Sequence, residues 1–144
     1  MALPGLTIGV RDAGPGDAGL IYQPWIRTLG RSDPWSGLDP NWHAASAHAL
    51  ITRLLERGHA LCAVDPDNAD QVYGLIVFER RHGEGYLHWV YTKDAFRRAH
   101  VASRLVAAAF RGEPAYYTIR TPAIRHHEER WRLSYRSHGL VGAA

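Results

Sequence analysis

A polar turn rich in arginine lies between a predicted strand and a predicted helix, in the stretch from Tyr86 to Phe110. Such a turn aims free backbone N–H groups and the positive end of the helix at one point, and a pyrophosphate is the ligand that fits it best. Arg97 and Arg98 precede most of the predicted helix and Arg104 lies within it, so their guanidinium groups could add charge-assisted contacts to an anion. The alternative is a solvated, basic helix start without a ligand.

The turn also carries a motif. Residues 97–102 read RRAHVA, which follows the pattern Gln or Arg, two residues, Gly, one residue, Gly or Ala, except at the first glycine. Here, and in element order over nearly the whole chain, the sequence resembles the Gcn5-related N-acetyltransferase superfamily, whose members bind acetyl-CoA at this strand, turn and helix. The small size resembles compact single-domain members from bacteria or viruses.

His100 stands where the family pattern has its first glycine. Glycine lets the backbone approach a phosphate closely and adopt a positive φ, whereas a Cβ restricts both. Histidine tolerates such conformations better than β-branched residues do. Three interpretations are open: the turn binds CoA with some loss of affinity, His100 itself contacts a phosphate, or the site is degenerate.

The resemblance implies that the strand ending near Val90 offers backbone groups to the pantetheine arm of CoA. An N–H near Val90 or Tyr91 would then polarise the thioester carbonyl. The cofactor-binding residues that the resemblance implies are Trp89, Val90, Tyr91, Arg97, Arg98, Ala99, His100, Val101 and Ala102.

Tyr135 precedes the pair Gly139-Leu140 by four residues, and this spacing resembles that of a family tyrosine that protonates the departing CoA thiolate. A phenol suits the role because it keeps its proton at neutral pH and can donate it to a developing thiolate. The alternative is that Tyr135 packs the last predicted helix on the sheet, in a stripe with His127 and Trp131.

Two residues are candidates for the base that deprotonates an amine, either directly or through water. His88 lies on the strand that approaches the acyl site, and an imidazole titrates near neutral pH. Glu79 ends the preceding strand. A lone strand histidine is more often structural, and Glu79 could instead pair with Arg80 or Arg81.

The resemblance implies that the amine acceptor lies between the loop that spans residues 30–40, the second predicted helix and the strand ends. The loop is rich in Gly, Pro, Asp and Ser, and loops that also carry aromatic and charged residues often border binding sites. Candidate substrate-binding residues are Trp25, Arg31, Asp33 and Trp35, although the aromatic residues could equally be core or lid packing.

The elements that position these residues follow from hydrophobic periodicity and turn signals. Helices are predicted over residues 18–28, 41–57 and 97–110, and a last helix begins with Thr121 as N-cap and Pro122 as first residue and ends at Gly139. Strands are predicted over residues 6–11, 59–64, 72–79, 86–92 and 116–120, the middle three as an antiparallel meander. This order predicts one α+β domain over residues 1–144, and the resemblance implies a mostly antiparallel, splayed central sheet flanked by about four helices.

Composition excludes several classes of protein. The 144 residues are 46% hydrophobic and 22% charged, which is typical of a globular domain rather than a disordered or fibrous chain. Met1–Thr7 is too short and uncharged for a signal peptide, and no apolar run could span a bilayer, so we expect a cytoplasmic protein without a membrane partner. The single cysteine, Cys62, excludes an internal disulfide and a multi-thiolate zinc site.

The formal net charge is +3, and Lys93 is the only lysine among 17 basic residues. Arginine favours phosphate and carboxylate partners, although a GC-rich genome also produces this bias. A charge of +3 with interspersed acidic residues is modest for binding nucleic acid, which is therefore an alternative rather than the favoured partner.

Motifs for other chemistries are absent from the sequence. His126, His127, Glu128 and Glu129 are consecutive, whereas the zinc-protease pattern needs two histidines four residues apart. No phosphate-binding GKS/T loop and no GxSxG elbow occurs. We expect no metal.

The sequence thus predicts an acetyl-CoA-dependent N-acetyltransferase that moves the acetyl group from the CoA thioester directly to an unidentified primary amine, on a small molecule or a macromolecule. Two alternatives are open: an enzyme of this fold that modifies a nucleic-acid base or attached amine, as in phage DNA modification, and a degenerate domain that binds CoA or a protein without turnover. Tyr116 and Tyr117 could mark the edge of a homodimer.

Overall fold

A computed structural model describes residues 6–31 and 40–140. In these ranges the chain forms one six-stranded sheet in which every strand neighbours the next one in sequence. The strands are β1 (Gly9–Asp12), β2 (His59–Asp65), β3 (Asn68–Arg81), β4 (Glu84–Thr92), β5 (Ala115–Tyr117) and β6 (Leu133–Tyr135).

The sheet changes from antiparallel to parallel at β4. Strands β1 to β4 pair antiparallel, whereas β5 pairs parallel with β4 and β6 pairs parallel with β5. The pairing of β4 with β5 covers two residue pairs, Tyr86 with Tyr116 and Leu87 with Tyr117. The chain after β5 then turns away while β4 continues to Thr92, so a cleft opens between them. The predicted α+β fold with a splayed, mostly antiparallel sheet is confirmed.

Helices cover both faces of the sheet. They are α1 (Ala18–Leu29), α2 (Pro40–Arg57), α3 (Val101–Phe110), α4 (Pro122–His126) and α5 (Glu128–Trp131), with short 3-10 helices at Pro15–Asp17, Asp94–Phe96 and Ser137–Leu140. Alternate residues of β3 point to opposite faces. Leu75 and Val77 pack with α1 and α2, whereas Ile76 and Phe78 pack with α3. This layering explains why β3 is buried from Val72 to Glu79.

Strand β4 contains a bulge at His88. Val77 of β3 pairs with Trp89, and the adjacent Phe78 pairs with Leu87, so His88 is the extra residue. A bulge bends the strand and redirects its side chains. Accordingly Leu87 packs on the α3 face and Trp89 on the α1 and α2 face, although two residues on one regular strand would share a face.

The prediction of one long C-terminal helix was wrong. Thr121 does cap a helix as expected, since its hydroxyl accepts the N–H of Ile124 at 3.2 Å. However, His127 leaves helical geometry, with φ −111° and ψ 8°. Arg132 then adopts a left-handed conformation with φ 57°, which ends α5 before β6. Tyr135 therefore lies on a strand rather than on a helix.

Other boundaries differ by a few residues. The predicted helix over 97–110 begins at Val101, because the preceding residues form a turn with two left-handed backbone conformations. The predicted strand over 116–120 ends at Tyr117, where β5 parts from β4, and the first strand begins at Gly9 rather than Leu6. No helix of the described residues is long and apolar enough to cross a membrane.

Candidate functional site

The cleft beside β4 forms a cavity of ≈ 1020 Å³. Its walls come from α1, the end of β4, the turn before α3, the first turn of α3, and the segment that holds α4 and α5. The residues that line it are Pro24, Arg27, Thr28, Arg31, Trp89, Val90, Tyr91, Thr92, Asp94, Phe96, Arg97, Arg98, His100, Val101, Ala102, Ser103, Thr121, Ala123, Ile124, His127, Arg130 and Trp131.

The turn between β4 and α3 delivers backbone N–H groups to this cavity. The first hydrogen bond of α3 runs from the N–H of Arg104 to the carbonyl oxygen of His100, at 3.0 Å. The N–H groups of the first helical turn, Val101, Ala102 and Ser103, have no partner within the helix, and all three residues line the cavity. Together with the positive end of the helix, they make a site for an anion.

His100 adopts the conformation that usually requires glycine. Its φ is 62° and its ψ is 25°, in the left-handed region, and the side chain is exposed. Arg98, two residues earlier, is also left-handed, with φ 67°. The histidine therefore holds a left-handed backbone that a glycine would adopt without strain.

Replacing His100 with valine should lower the free energy of unfolding by about 1–2 kcal/mol, because a β-branched residue is strained at positive φ. His100→Gly should cost less than about 1 kcal/mol, since glycine adopts this conformation freely. Urea denaturation of the three proteins measures both differences. Equal stability of the valine variant and the parent would show that the turn is not left-handed at this position.

An aromatic stack supports the cavity wall on the α1 side. The rings of Trp25 and Trp89 lie 5.1 Å apart and nearly parallel, and Trp89 stacks in turn on Tyr91 at 5.4 Å. Trp25 is fully buried, whereas Trp89 and Tyr91 reach the cavity. Trp25 thus supports the α1-side wall from behind and does not itself line the cavity, contrary to the prediction that it borders the site.

His88 and Glu79 meet in a buried polar network next to the bulge. Glu79 Oε1 lies 2.7 Å from Nε2 of His88, and Thr118 Oγ1 lies 2.7 Å from Nδ1. The same glutamate oxygen lies 2.9 Å from Arg57 and 3.3 Å from Arg81. His88 is fully buried, and neither His88 nor Glu79 is among the residues that line the cavity.

Burial holds the pKa of the His88 imidazole below its ordinary value of 6.5, against the attraction of Glu79. A protonated His88 would add a further positive charge beside Arg57 and Arg81, so the neutral form is favoured. Burial alone would raise the pKa of Glu79, but its hydrogen bond to His88 and the charges around it lower the pKa overall. Nε2–H of a neutral His88 therefore donates to an ionised Glu79, and Nδ1 accepts the Thr118 hydroxyl.

These shifts predict a protein that loses stability in acid. A histidine whose folded pKa is lowered binds more protons when unfolded, so stability falls as pH drops below about 6.5. The lowered pKa of Glu79 adds a second loss below about 4.5. Urea denaturation between pH 8 and pH 5 measures the slope, which His88→Asn should reduce.

The matched control for this slope is His127→Gln. The pKa of His127 is also lowered, chiefly by burial, so this histidine contributes in the same direction. His127 is only half-buried, and its share should be the smaller one. An unchanged slope in His88→Asn would contradict the assignment of a neutral, buried His88.

Tyr135 lies away from the cavity wall. Its ring packs on Tyr117 at 5.2 Å, and the guanidinium of Arg120 lies 4.3 Å from the ring centre. The buried Tyr117 in turn donates its hydroxyl proton to Glu128.

Most of the predicted cofactor residues meet at one place. Of the nine, all except Ala99 line the cavity, and Ala99 is buried beneath the turn. Arg31 also lines the cavity, on the α1 side. Asp33 and Trp35 lie outside the described residues.

The cavity residues that were not predicted from the sequence include Arg27, His127, Arg130 and Trp131. Trp131 donates its indole N–H to Ser103 on α3 at 3.1 Å, and His127 stacks on Trp131 at 4.4 Å. The four-residue spacing of His127 and Trp131 was visible in the sequence, but it was interpreted as packing against the sheet. Arg27 lies on α1, four residues before Arg31 in the turn that follows the helix.

Among the described residues, no group of three or more His, Cys, Asp or Glu side chains is placed to hold a metal ion. Cys62 is buried, and burial raises the pKa of its thiol to about 11. This cysteine is therefore a structural residue rather than a nucleophile.

No protein-family profile matches the sequence, and no curated protein matches it significantly. Solved structures do match. A Pyrococcus furiosus protein assigned as an acetyl transferase superposes with a TM-score of 0.61 over 86% of this chain and 91% of that chain, at 15% identity. A Corynebacterium glutamicum protein named histone acetyltransferase HPA2 and related acetyltransferase has a TM-score of 0.53 over 76% and 74%, at 19% identity.

A third match is the aminoglycoside N-acetyltransferase AAC(6')-Iy in complex with CoA, with a TM-score of 0.50 over 92% of this chain and 91% of that chain, at 14% identity. The mixed six-stranded sheet flanked by helices agrees with these structures. This chain therefore has the fold of the Gcn5-related N-acetyltransferases.

Proposed function

We propose that this protein transfers an acetyl group from acetyl-CoA to an amine. The observation that carries the proposal is the left-handed turn at His100, which sets the N-terminus of α3 against a cavity at the splay of β4 and β5. Neighbours of the same fold include an acetyltransferase in complex with CoA, which supports CoA as the ligand of this cavity.

The residues present fit a CoA molecule. The volume of ≈ 1020 Å³ suits a ligand of this size. The first turn of α3 offers N–H groups to the pyrophosphate, and Arg97, Arg98 and Arg130 add positive charge on the same side of the sheet. Val90 and Tyr91 lie along the strand that would run beside the pantetheine arm.

The transfer itself needs positioning and proton movement. The amine nitrogen attacks the thioester carbonyl carbon, the carbon–sulfur bond breaks, and the proton lost by the nitrogen ends on the thiolate. Acetyl-CoA supplies the activated acyl group. A backbone N–H of Val90 or Tyr91 would polarise the carbonyl, and the nearby bulge at His88 bends β4 just before these residues.

The identity of the base remains a prediction. His88 is neutral and well oriented, but its contacts to Glu79 and Thr118 occupy both ring nitrogens, so a role in catalysis would require a water-mediated path from the cavity. Glu79 and Tyr135 would likewise act only through intervening groups. His127 lines the cavity, and burial lowers its pKa, so its imidazole can accept a proton at neutral pH.

The experiment that tests the proposal is a calorimetric titration of the protein with acetyl-CoA and, separately, with CoA at moderate salt. We expect saturable binding in the micromolar range. ATP is the control, because it carries a comparable negative charge without the pantetheine arm. Absence of binding, or equal binding of ATP, would exclude the acetyltransferase mechanism.

The two alternative functions predict different results. A domain that has lost its activity should bind CoA without transferring acetyl to any amine. The left-handed geometry of His100 argues against a damaged site, because the turn keeps the required backbone. An enzyme that modifies nucleic acid should acetylate an oligonucleotide amine with a steep dependence on salt.

A further inference from the structure

The positive charge of this protein is concentrated at the cavity. Five arginines and one aspartate are among the described residues that line it, a formal charge of +4. The whole chain carries only +3. A genome bias toward arginine would spread the charge over the surface, so its position here indicates a role in binding anions.

The arginines lie on two different walls. Arg97, Arg98 and Arg130 belong to the α3 and α5 side, next to the helix N-terminus proposed for the pyrophosphate. Arg27 belongs to α1 and Arg31 to the turn that follows this helix, and α1 packs on the opposite face of the sheet. The end of β4 separates the walls, so the second pair faces a different part of the cavity.

The cavity-facing side of α1 is defined by helical spacing. Pro24, Arg27 and Thr28 of α1 line the cavity at helical spacing, and Arg31 lines it from the turn that follows the helix. Neither arginine forms an ion pair with another described residue, whereas Arg97 is paired with Asp94 at 3.0 Å. Both guanidinium groups are exposed and available to a ligand.

Trp89 and Tyr91 give this wall a rigid, apolar floor. Both residues line the cavity, Trp89 with only 2% of its surface exposed, and their rings stack in a row with the buried Trp25. A ligand here would meet the two planar cations of Arg27 and Arg31 beside this stack. Guanidinium groups bind carboxylate and phosphate through paired N–H donors.

We infer that the acceptor is a small amine that carries a carboxylate or a phosphate, which Arg27 and Arg31 bind on the α1 wall. This inference rests on the proposed function. It assigns these two arginines to the acceptor and the α3 side to the cofactor. A cationic acceptor such as a polyamine is disfavoured by the same charges.

The first test uses inorganic phosphate as the probe on protein saturated with CoA. We expect phosphate to bind with millimolar affinity, and the double substitution Arg27→Gln and Arg31→Gln to weaken this binding at least about tenfold. Arg53→Gln is the matched control, because Arg53 is exposed on α2 and does not line the cavity. Absence of phosphate binding, or binding that the double variant retains, would overturn the inference.

The second test compares acetyl transfer to paired amines: O-phosphoethanolamine with ethanolamine, and β-alanine with β-alaninamide. We expect the anionic member of at least one pair to have the higher kcat/KM. The pair that shows the larger preference identifies phosphate or carboxylate as the preferred group. The double variant should raise KM for that amine at least about tenfold without changing the affinity for acetyl-CoA. Preference for the neutral members, or for an oligonucleotide amine, would overturn the inference.

The two proposals fail in different ways. If acetyl-CoA does not bind, the proposed function fails, and the phosphate titration of the free protein still reports on the two arginines. If acetyl-CoA binds and the double variant weakens that binding as strongly as it weakens phosphate binding, the arginines serve the cofactor. The proposed function would then stand and the assignment of the acceptor would fall.

Discussion

Replacing Glu79 with alanine should lower the free energy of unfolding by about 3–5 kcal/mol, the cost of removing one partner from a buried ionic cluster. The carboxylate lies within 3.3 Å of Arg57, Arg81 and His88, and its side chain is 3% exposed. Without it, two guanidinium groups and a fully buried imidazole lose their shared acceptor. Chemical denaturation followed by circular dichroism measures the change.

The matched control for this variant is Glu113→Ala. Glu113 also pairs with an arginine, Arg80, at 3.3 Å, but its side chain is 64% exposed. Exposed pairs of this kind contribute less than about 1 kcal/mol. A loss of similar size in both variants would show that Glu79 is not the centre of a buried network.

Introducing a negative charge at Ala102 should reduce the affinity for acetyl-CoA at least about 100-fold. Ala102 lies in the first turn of α3 and lines the cavity. Two like charges about 4 Å apart repel by about 4 kcal/mol at an effective dielectric constant near 20, which corresponds to a loss of this order. Calorimetric titration of Ala102→Glu with acetyl-CoA measures the change.

The same substitution should leave the free protein as stable as before, or more so, because an acidic residue in the first turn of a helix is favourable. Ala102→Gln is the control for side-chain size. It should retain most of the affinity if charge is the cause. A glutamine variant that binds as poorly as the glutamate variant would point to steric exclusion instead.

The strands and first helices could be predicted because local pattern and tertiary environment agree there. The apolar run from Val72 to Glu79 was predicted as a strand because it is continuous and bounded by polar turns, and the fold does bury it on both faces. The helix at α1 has apolar residues at helical spacing, and Pro24 does not interrupt it. Family resemblance added the splay, which no local pattern encodes.

The C-terminal segment could not be predicted because long-range contacts decide its path. Arg132 has no sequence feature that demands a left-handed conformation, yet adopting it lets Leu133 pack in the core and β6 pair with β5. The bulge at His88 is equally invisible in sequence. It turned a candidate catalytic histidine toward Glu79 and away from the cavity.

The candidate site was predicted where it is continuous in sequence and missed where it is assembled from distant segments. Residues 97–102 form one motif, and five of these six line the cavity. Arg27 and Trp131 belong to the site because α1 and α5 lie on either side of β4. Their participation depends on topology and not on neighbouring residues.

The short pairing between β4 and β5 has a consequence for how the molecule opens. The strand pairing of β5 with β4 covers two residue pairs, and β5 and β6 contain three residues each. Amide hydrogens of residues 115–135 should therefore exchange with solvent through a local opening that leaves β1 to β4 intact. A ligand that touches both β4 and α5 would slow this exchange, because it binds only the closed form. Hydrogen exchange would therefore report ligand binding in the cleft even at amides that do not contact the ligand.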